Sequence, residues 1–169
     1  MPQCQVFTPA EIDMFRKSGA ILRGCLDYLA PKAVIGITTL ELDRLAEEFI
    51  RGKGGLPAFK GYKGFEYTLC TSVNEEVVHG MPGKRALQDG DIISLDCGVV
   101  YEGIITDACL SVGVGSISPE ARNLLDVTKK ALDAGVSMVK GGCRTGDISA
   151  AVQNVVEGGG FTCVSMLTG

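Results

Sequence analysis

Two aspartates and a histidine are the residues of this sequence whose types and spacing best suit chemistry. Asp96 and Asp107 lie in two β-rich apolar stretches, residues 91–101 and 104–112, on either side of Glu102-Gly103. A two-residue hairpin turn at Glu102-Gly103, with the glycine supplying φ > 0, places Gly98 opposite Asp107. Asp96 then sits two residues from Gly98 on the same face, a diagonal neighbour of Asp107 about 7–8 Å away at the backbone. Gly98 leaves room between the two for something to bind. No Lys or Arg occurs from Ala86 through Ala121, so no nearby base in the sequence neutralises the pair. Inward-facing carboxylates without a partner are costly unless a cation or a distant base compensates. Three readings follow: a solvated sheet face, a proton-sharing acid–base pair, or ligands to a divalent metal, for which hard oxygen donors suit Mn, Co, Fe or Zn. Spacing alone does not choose among them. His79, behind Val77-Val78, reads on pattern alone as a hydrogen-bonded structural residue more than as a functional one. Cys70 reads as an ordinary core thiol, and Tyr62 and Phe65 as loop aromatics anchoring to the body.

Composition narrows the field. With 169 residues and 46% hydrophobic content the chain is about one domain long and can build a core, which excludes a disordered protein. The 23 glycines are about twice average usage, and their irregular spacing excludes collagen and predicts many tight turns. Sixteen Lys and Arg against 20 Asp and Glu give a net charge of −4 without a basic stripe, so no nucleic-acid partner is expected. A single histidine rules out a multi-His metal site built from this chain alone. Seven cysteines (4, 25, 70, 97, 109, 143 and 163) form no C-x-x-C pair. Without a signal peptide they read as free thiols in a reducing compartment, and the expected location is cytoplasmic. No apolar run approaches 18 residues, so no membrane span is expected.

The elements that must position these residues follow from pattern. Thr8-Pro9-Ala10-Glu11 is a capping box with Pro at the first helical position. Ile12, Phe15, Gly19, Leu22, Leu26 and Leu29 then line one helical face up to Pro31. A second capping box, Thr38 to Glu41, opens a helix with Leu42, Leu45 and Phe49 on one side, closed by Gly52, Gly54 and Gly55. Residues 56–64 read as a loop. Strands are expected over 67–73, 77–79, 91–101 and 104–112. A long helix runs from Ser118-Pro119 to Gly141-Gly142, a shorter one covers about 147–157, and a last strand spans 161–167. This order predicts an α+β fold with a largely antiparallel sheet. One domain is expected over 1–169, helical with a loop over 1–66 and a sheet with two helices over 67–169. The chain ends at Thr168-Gly169 straight after a predicted strand, where a domain would be expected to continue.

Taken together, these residues resemble the type I methionine aminopeptidases. The resemblance runs along essentially the whole chain: Pro57-Ala58-Phe59-Lys60-Gly61-Tyr62, Cys70, Ser72-Val73-Asn74-Glu75, Val78-His79-Gly80, Leu87-Gln88-Asp89-Gly90-Asp91, Ser94-Leu95-Asp96-Cys97-Gly98, Tyr101-Glu102-Gly103 and Asp107. N-E-x-x-x-H-G, then G-D, then two aspartates with ten residues between them is the most specific part. It makes the metal reading of the aspartates the favourite. The resemblance implies a pita-bread (creatinase/aminopeptidase-like) fold with helices on one face of a mostly antiparallel sheet. The implied activity is removal of the initiator methionine from peptides and nascent proteins, including substrates at the ribosome, by two divalent metal ions (Co, Mn, Fe or Zn). Asp96 would be a bidentate ligand of one ion and Asp107 would bind both, activating a water for attack on the carbonyl. His79 would hydrogen-bond the substrate near the scissile bond and assist departure of the nitrogen. Tyr62, Phe65 and Cys70 would line the pocket for the methionine side chain, where sulfur and aromatic edges suit a thioether.

The family also has a second half carrying one His ligand, two Glu ligands and a second substrate-contacting His. Residues 161–169 match the strand just before that His. The fold is therefore expected to be incomplete at the C-terminus, with this chain alone inactive and weak in metal binding. The alternative expectation is a naturally short, non-catalytic relative that binds peptides or protein N-termini. A prolidase-like exopeptidase is a third, disfavoured by the compact run from His79 to Asp96.

Overall fold

The computed structural model describes residues 6–167; Cys4, one of the expected free thiols, lies outside them. The chain forms two compact units, Met1–Ile117 and Ser118–Gly169.

The first unit starts with α1 (Pro9–Leu29). Thr8 and Glu11 form the full capping box: the Glu11 carboxylate accepts the Thr8 N–H at 2.7 Å and the Thr8 hydroxyl accepts the Glu11 N–H at 3.3 Å. Pro31 falls in a 3₁₀ turn, Ala30–Lys32, that closes the helix. In α2 (Thr39–Gly52) only half of the expected box forms: Thr38 accepts the Glu41 N–H at 3.1 Å, but the Glu41 carboxylate is taken by Arg44 one turn on. A charge-assisted pair along the helix outcompetes the neutral backbone donor.

The sheet has four antiparallel strands. Within the stretch expected to be a loop, Leu56 and Pro57 form a two-residue strand, β1 (Leu56–Pro57), paired with Val100 and Val99. Such a short edge strand carries no pattern that periodicity can detect. β2 (Leu69–Val73) pairs with β3 (Ile92–Tyr101), and β3 pairs along its full length with β4 (Ile104–Gly113). The predicted strand over Val77–His79 is absent: residues 74–82 form a turn and an irregular loop. Asn74 and His79 adopt left-handed φ values of 56° and 59°, which end strand geometry there.

One face of the sheet, with Leu69, Val73, Ile93, Leu95, Cys97 and Val99, packs on Leu22, Cys25, Leu26 and Leu29 of α1 and Leu42, Ala46 and Ile50 of α2. Fully burying an aliphatic side chain of this size contributes roughly 1.5–3 kcal/mol. The Ser18 hydroxyl, buried among them, hydrogen-bonds the Val99 carbonyl and the Thr106 hydroxyl. The opposite face of the sheet carries Asp96 and Asp107.

In the second unit, α3 (Pro119–Ser137) starts at a Ser118 N-cap and ends short of the expected Gly141. It packs on α4 (Thr145–Gly158) through Val127, Ala131 and Gly135, the last facing Val152 and Ile148. The predicted strand over 161–167 does not form: among the described residues its backbone has no ladder partner, and its amides bond locally, Phe161 to Val156 and Leu167 to Val164. No helix among the described residues is long and apolar enough to cross a membrane.

Candidate metal centre and side-chain pocket

The hairpin does what its two turn residues require. Glu102 and Gly103 both take positive φ, 49° and 80°, the pattern of a tight turn that follows the twist of its strands. The register is Gly98 opposite Asp107 and Asp96 opposite Cys109. Asp96 and Asp107 therefore share the face turned away from α1 and α2, where both line the same pocket. Asp96 is pushed up to about 6, first by burial and then by the charge and hydrogen bond of Asp107; His79 and the Cys97 N–H pull the other way. No ion pair among the described residues involves either aspartate. Two carboxylates on one face, with no cation paired to either, are a donor set that a divalent cation would suit. They do not complete a ligand set: no cluster of three or more His, Cys, Asp or Glu side chains among the described residues could hold a metal.

Beside the pair opens a pocket of about 470 Å³. All six predicted site residues line it: Tyr62, Phe65, Cys70, His79, Asp96 and Asp107. Cys70 faces Asp96 across the β2–β3 ladder and is only 6% exposed. Burial and the Asp96 charge push its thiol up to about 11, so it is a neutral, polarisable floor rather than a nucleophile. Tyr62 sits on a 3₁₀ turn, Tyr62–Gly64, and Phe65 stands edge-on to Tyr67 at 5.7 Å.

Phe59 and Met81 also line the pocket, and sequence reasoning missed both. Gly98 was the signal for Phe59. The space at Gly98, expected to leave room between the aspartates, is taken up by the Phe59 ring: a Cβ there would lie 2.7 Å from the ring and 2.8 Å from Ala58 Cβ.

Backbone hydrogen bonds set the two walls. Asp43 of α2, 6% exposed, accepts the Thr68 and Leu69 N–H groups at 2.7 and 2.8 Å and so fixes the start of β2 just before Cys70. Burial holds the Asp43 carboxyl above its usual range despite these bonds. The Gly80 carbonyl accepts the Thr71 N–H at 2.6 Å, while the Gly80 N–H donates to the Ser72 hydroxyl at 3.1 Å. A Cβ on Gly80 would stand 2.5 Å from the Thr71 carbonyl oxygen, so only glycine allows this approach. His79 is thereby held, in its left-handed conformation, at the exposed edge of the pocket.

The carboxylate pair thus lies on the open face of the antiparallel sheet, next to a largely apolar pocket. Residues 13–169 match the model of metallopeptidase family M24, and the chain belongs to that family. Its fold is accordingly the α+β pita-bread fold that the resemblance implied. Membership in a metallopeptidase family implies use of a divalent metal. Among curated relatives, it is 47% identical over 159 residues to a methionine aminopeptidase of Clostridium perfringens, covering 94% of this chain and 64% of the relative. It is 43% identical over 162 residues to methionine aminopeptidase 1 of Bacillus subtilis, covering 96% of this chain and 65% of the relative. The solved methionine aminopeptidase of Thermotoga maritima superposes with a TM-score of 0.92 at 38% identity, covering 95% of this chain and 65% of that one. The chain thus spans a little under two thirds of the length of these relatives.

Proposed function

We propose that the protein to which this chain belongs removes the N-terminal methionine from peptides and nascent proteins. The observation that carries this reading is the adjacency of Asp96 and Asp107 to an apolar pocket floored by Cys70, in a chain whose relatives are named methionine aminopeptidases. Asp96 and Asp107 would hold the metal, two divalent ions drawn from Co, Mn, Fe or Zn. Metal bound there supplies Lewis acidity and lowers the pKa of water. Tyr62, Phe65, Cys70, Phe59 and Met81 hold the thioether and exclude solvent around it. His79, at the pocket edge, hydrogen-bonds the peptide near the scissile bond and supports departure of the amine. The six free cysteines among the described residues support a cytoplasmic location.

The test is methionine release from a Met-Gly-initiated peptide by the product of the complete reading frame containing this chain, with Mn²⁺ or Co²⁺. Release is expected, and Asp107→Asn should lower kcat/KM by more than about a hundredfold, beyond the cost of losing an outer-shell partner. Unchanged release by Asp107→Asn, or faster cleavage of Xaa-Pro peptides than of Met-Gly peptides, would overturn the reading.

A further inference from the structure

Between α1 and α2 lies a second concavity, of about 380 Å³, lined by Ala20, Ile21, Gly24, Phe49 and Lys53. Its Phe49 wall continues into a stack of two rings with an ammonium group at each end. Tyr28 and Phe49 stack at 5.2 Å, Lys32 Nζ lies 4.4 Å from the Tyr28 centroid, and Lys53 Nζ lies 5.8 Å from that of Phe49. Lys17 stands one turn before Ala20 and Ile21 on α1, at the spacing that puts residues on a shared helix face.

The charges around this groove are unevenly satisfied. Arg23 is bound by Asp27 through its Nε at 2.9 and 2.8 Å, and Arg51 is bound by Glu47 at 2.9 Å. Lys17, Lys32 and Lys53 make no ion pair among the described residues. An apolar groove lined by Lys53, with Lys32 on the adjoining Tyr28 and Lys17 one turn along α1, none of them ion-paired among the described residues, complements a ligand that is apolar in the middle and anionic at its ends. Single-stranded nucleic acid fits less well. Base recognition of that kind needs an open aromatic face, and Phe49 and Tyr28 cover one another and carry lysines as well.

We propose that this groove docks an acidic peptide segment, one aliphatic or aromatic side chain seated against Ala20, Gly24 and Phe49 and flanking carboxylates meeting Lys17, Lys32 and Lys53. The site is separate from the carboxylate pair and independent of the activity proposed above.

Fluorescence anisotropy with a short fluorescein-labelled peptide of alternating glutamate and leucine, with one central phenylalanine, tests it directly. The peptide should bind the wild-type chain, and replacing its glutamates with glutamines should abolish binding. Lys17→Glu with Lys53→Glu should weaken binding by roughly tenfold, the size expected when partly exposed pairs become repulsions. Lys53→Gln should fall between, and Ala20→Glu should block the groove. All four substitutions are at exposed positions, and circular dichroism confirms folding before each titration. Absence of binding, equal binding of the glutamine peptide, insensitivity to the lysine changes, or stronger lysine-dependent binding of an oligouridylate would overturn the proposal.

Discussion

On one face of β3, Ile93, Leu95, Cys97 and Val99 are fully buried against the helices; on the other, Ser94 and Asp96 stay half-buried and look towards the exposed Asp107. The same ten residues thus carry two separate assignments. Period-two alternation lets odd positions bind the sheet to α1 and α2 while Ser94 and Asp96, at even positions, stay free for polar chemistry. The two sets meet only through backbone geometry. A change on the buried face should therefore cost stability, and one on the open face should change chemistry while leaving stability the same or higher.

The largest test of that division is Leu95→Ala. It removes a fully buried side chain amid the cluster and should lower unfolding free energy by about 2–5 kcal/mol in urea denaturation. A loss as large from Asp96→Ala would break the comparison. Asp43→Ala comes next, with an expected cost of about 2 kcal/mol, because two buried N–H groups lose their acceptor. Asp43→Asn, which keeps an acceptor oxygen, should recover part of it. This variant sharpens the comparison, since Asp43 stands on the helix side but its effect surfaces at Cys70. Alkylation of Cys70 by iodoacetamide should speed up in Asp43→Ala and stay at the wild-type rate in Leu95→Ala under native conditions; equal acceleration in both would place Asp43 with the general core.

What could be read beforehand was what depends on short-range rules. The Thr8 capping box, the tight turn at Glu102-Gly103, and from it the pairing of Gly98 with Asp107 all follow from residues close in sequence. Every site residue named from the family resemblance does line the one pocket. Readings failed where a competing partner or a distant group decided the outcome. Glu41 left its capping box for Arg44. Val77-Val78-His79 has strand-like residue types, yet Gly80 bonds to Thr71 and Ser72 in a way that needs a loop. Phe59 and Met81 reach the pocket through tertiary approach, which periodicity does not encode. Asp43 carries no signal in the sequence; only the backbone donors of Thr68 and Leu69 show its use.

The smallest expected effect has the opposite sign, which makes it the most discriminating. Asp96 titrates at about 6 in the folded chain, against about 3.9 when unfolded. The native state then holds this proton more tightly than the unfolded one does, so stability falls as pH rises from about 4 to about 6 and stays reduced above that. Asparagine has no proton to lose. Asp96→Asn should therefore be more stable than wild type at pH 7 without metal, by about 1 kcal/mol once the shift is discounted for partial solvent exposure. Below about pH 4 the two proteins should melt together. Added Mn²⁺ should stabilise wild type and leave Asp96→Asn unmoved, since only the carboxylate pair gains a counter-charge. Melting temperatures across that range, with and without Mn²⁺, decide the matter. If Asp96→Asn is the less stable protein at pH 7 without metal, Asp96 belongs with the buried face as a structural polar group, and the division between the two faces of β3 fails where it matters most.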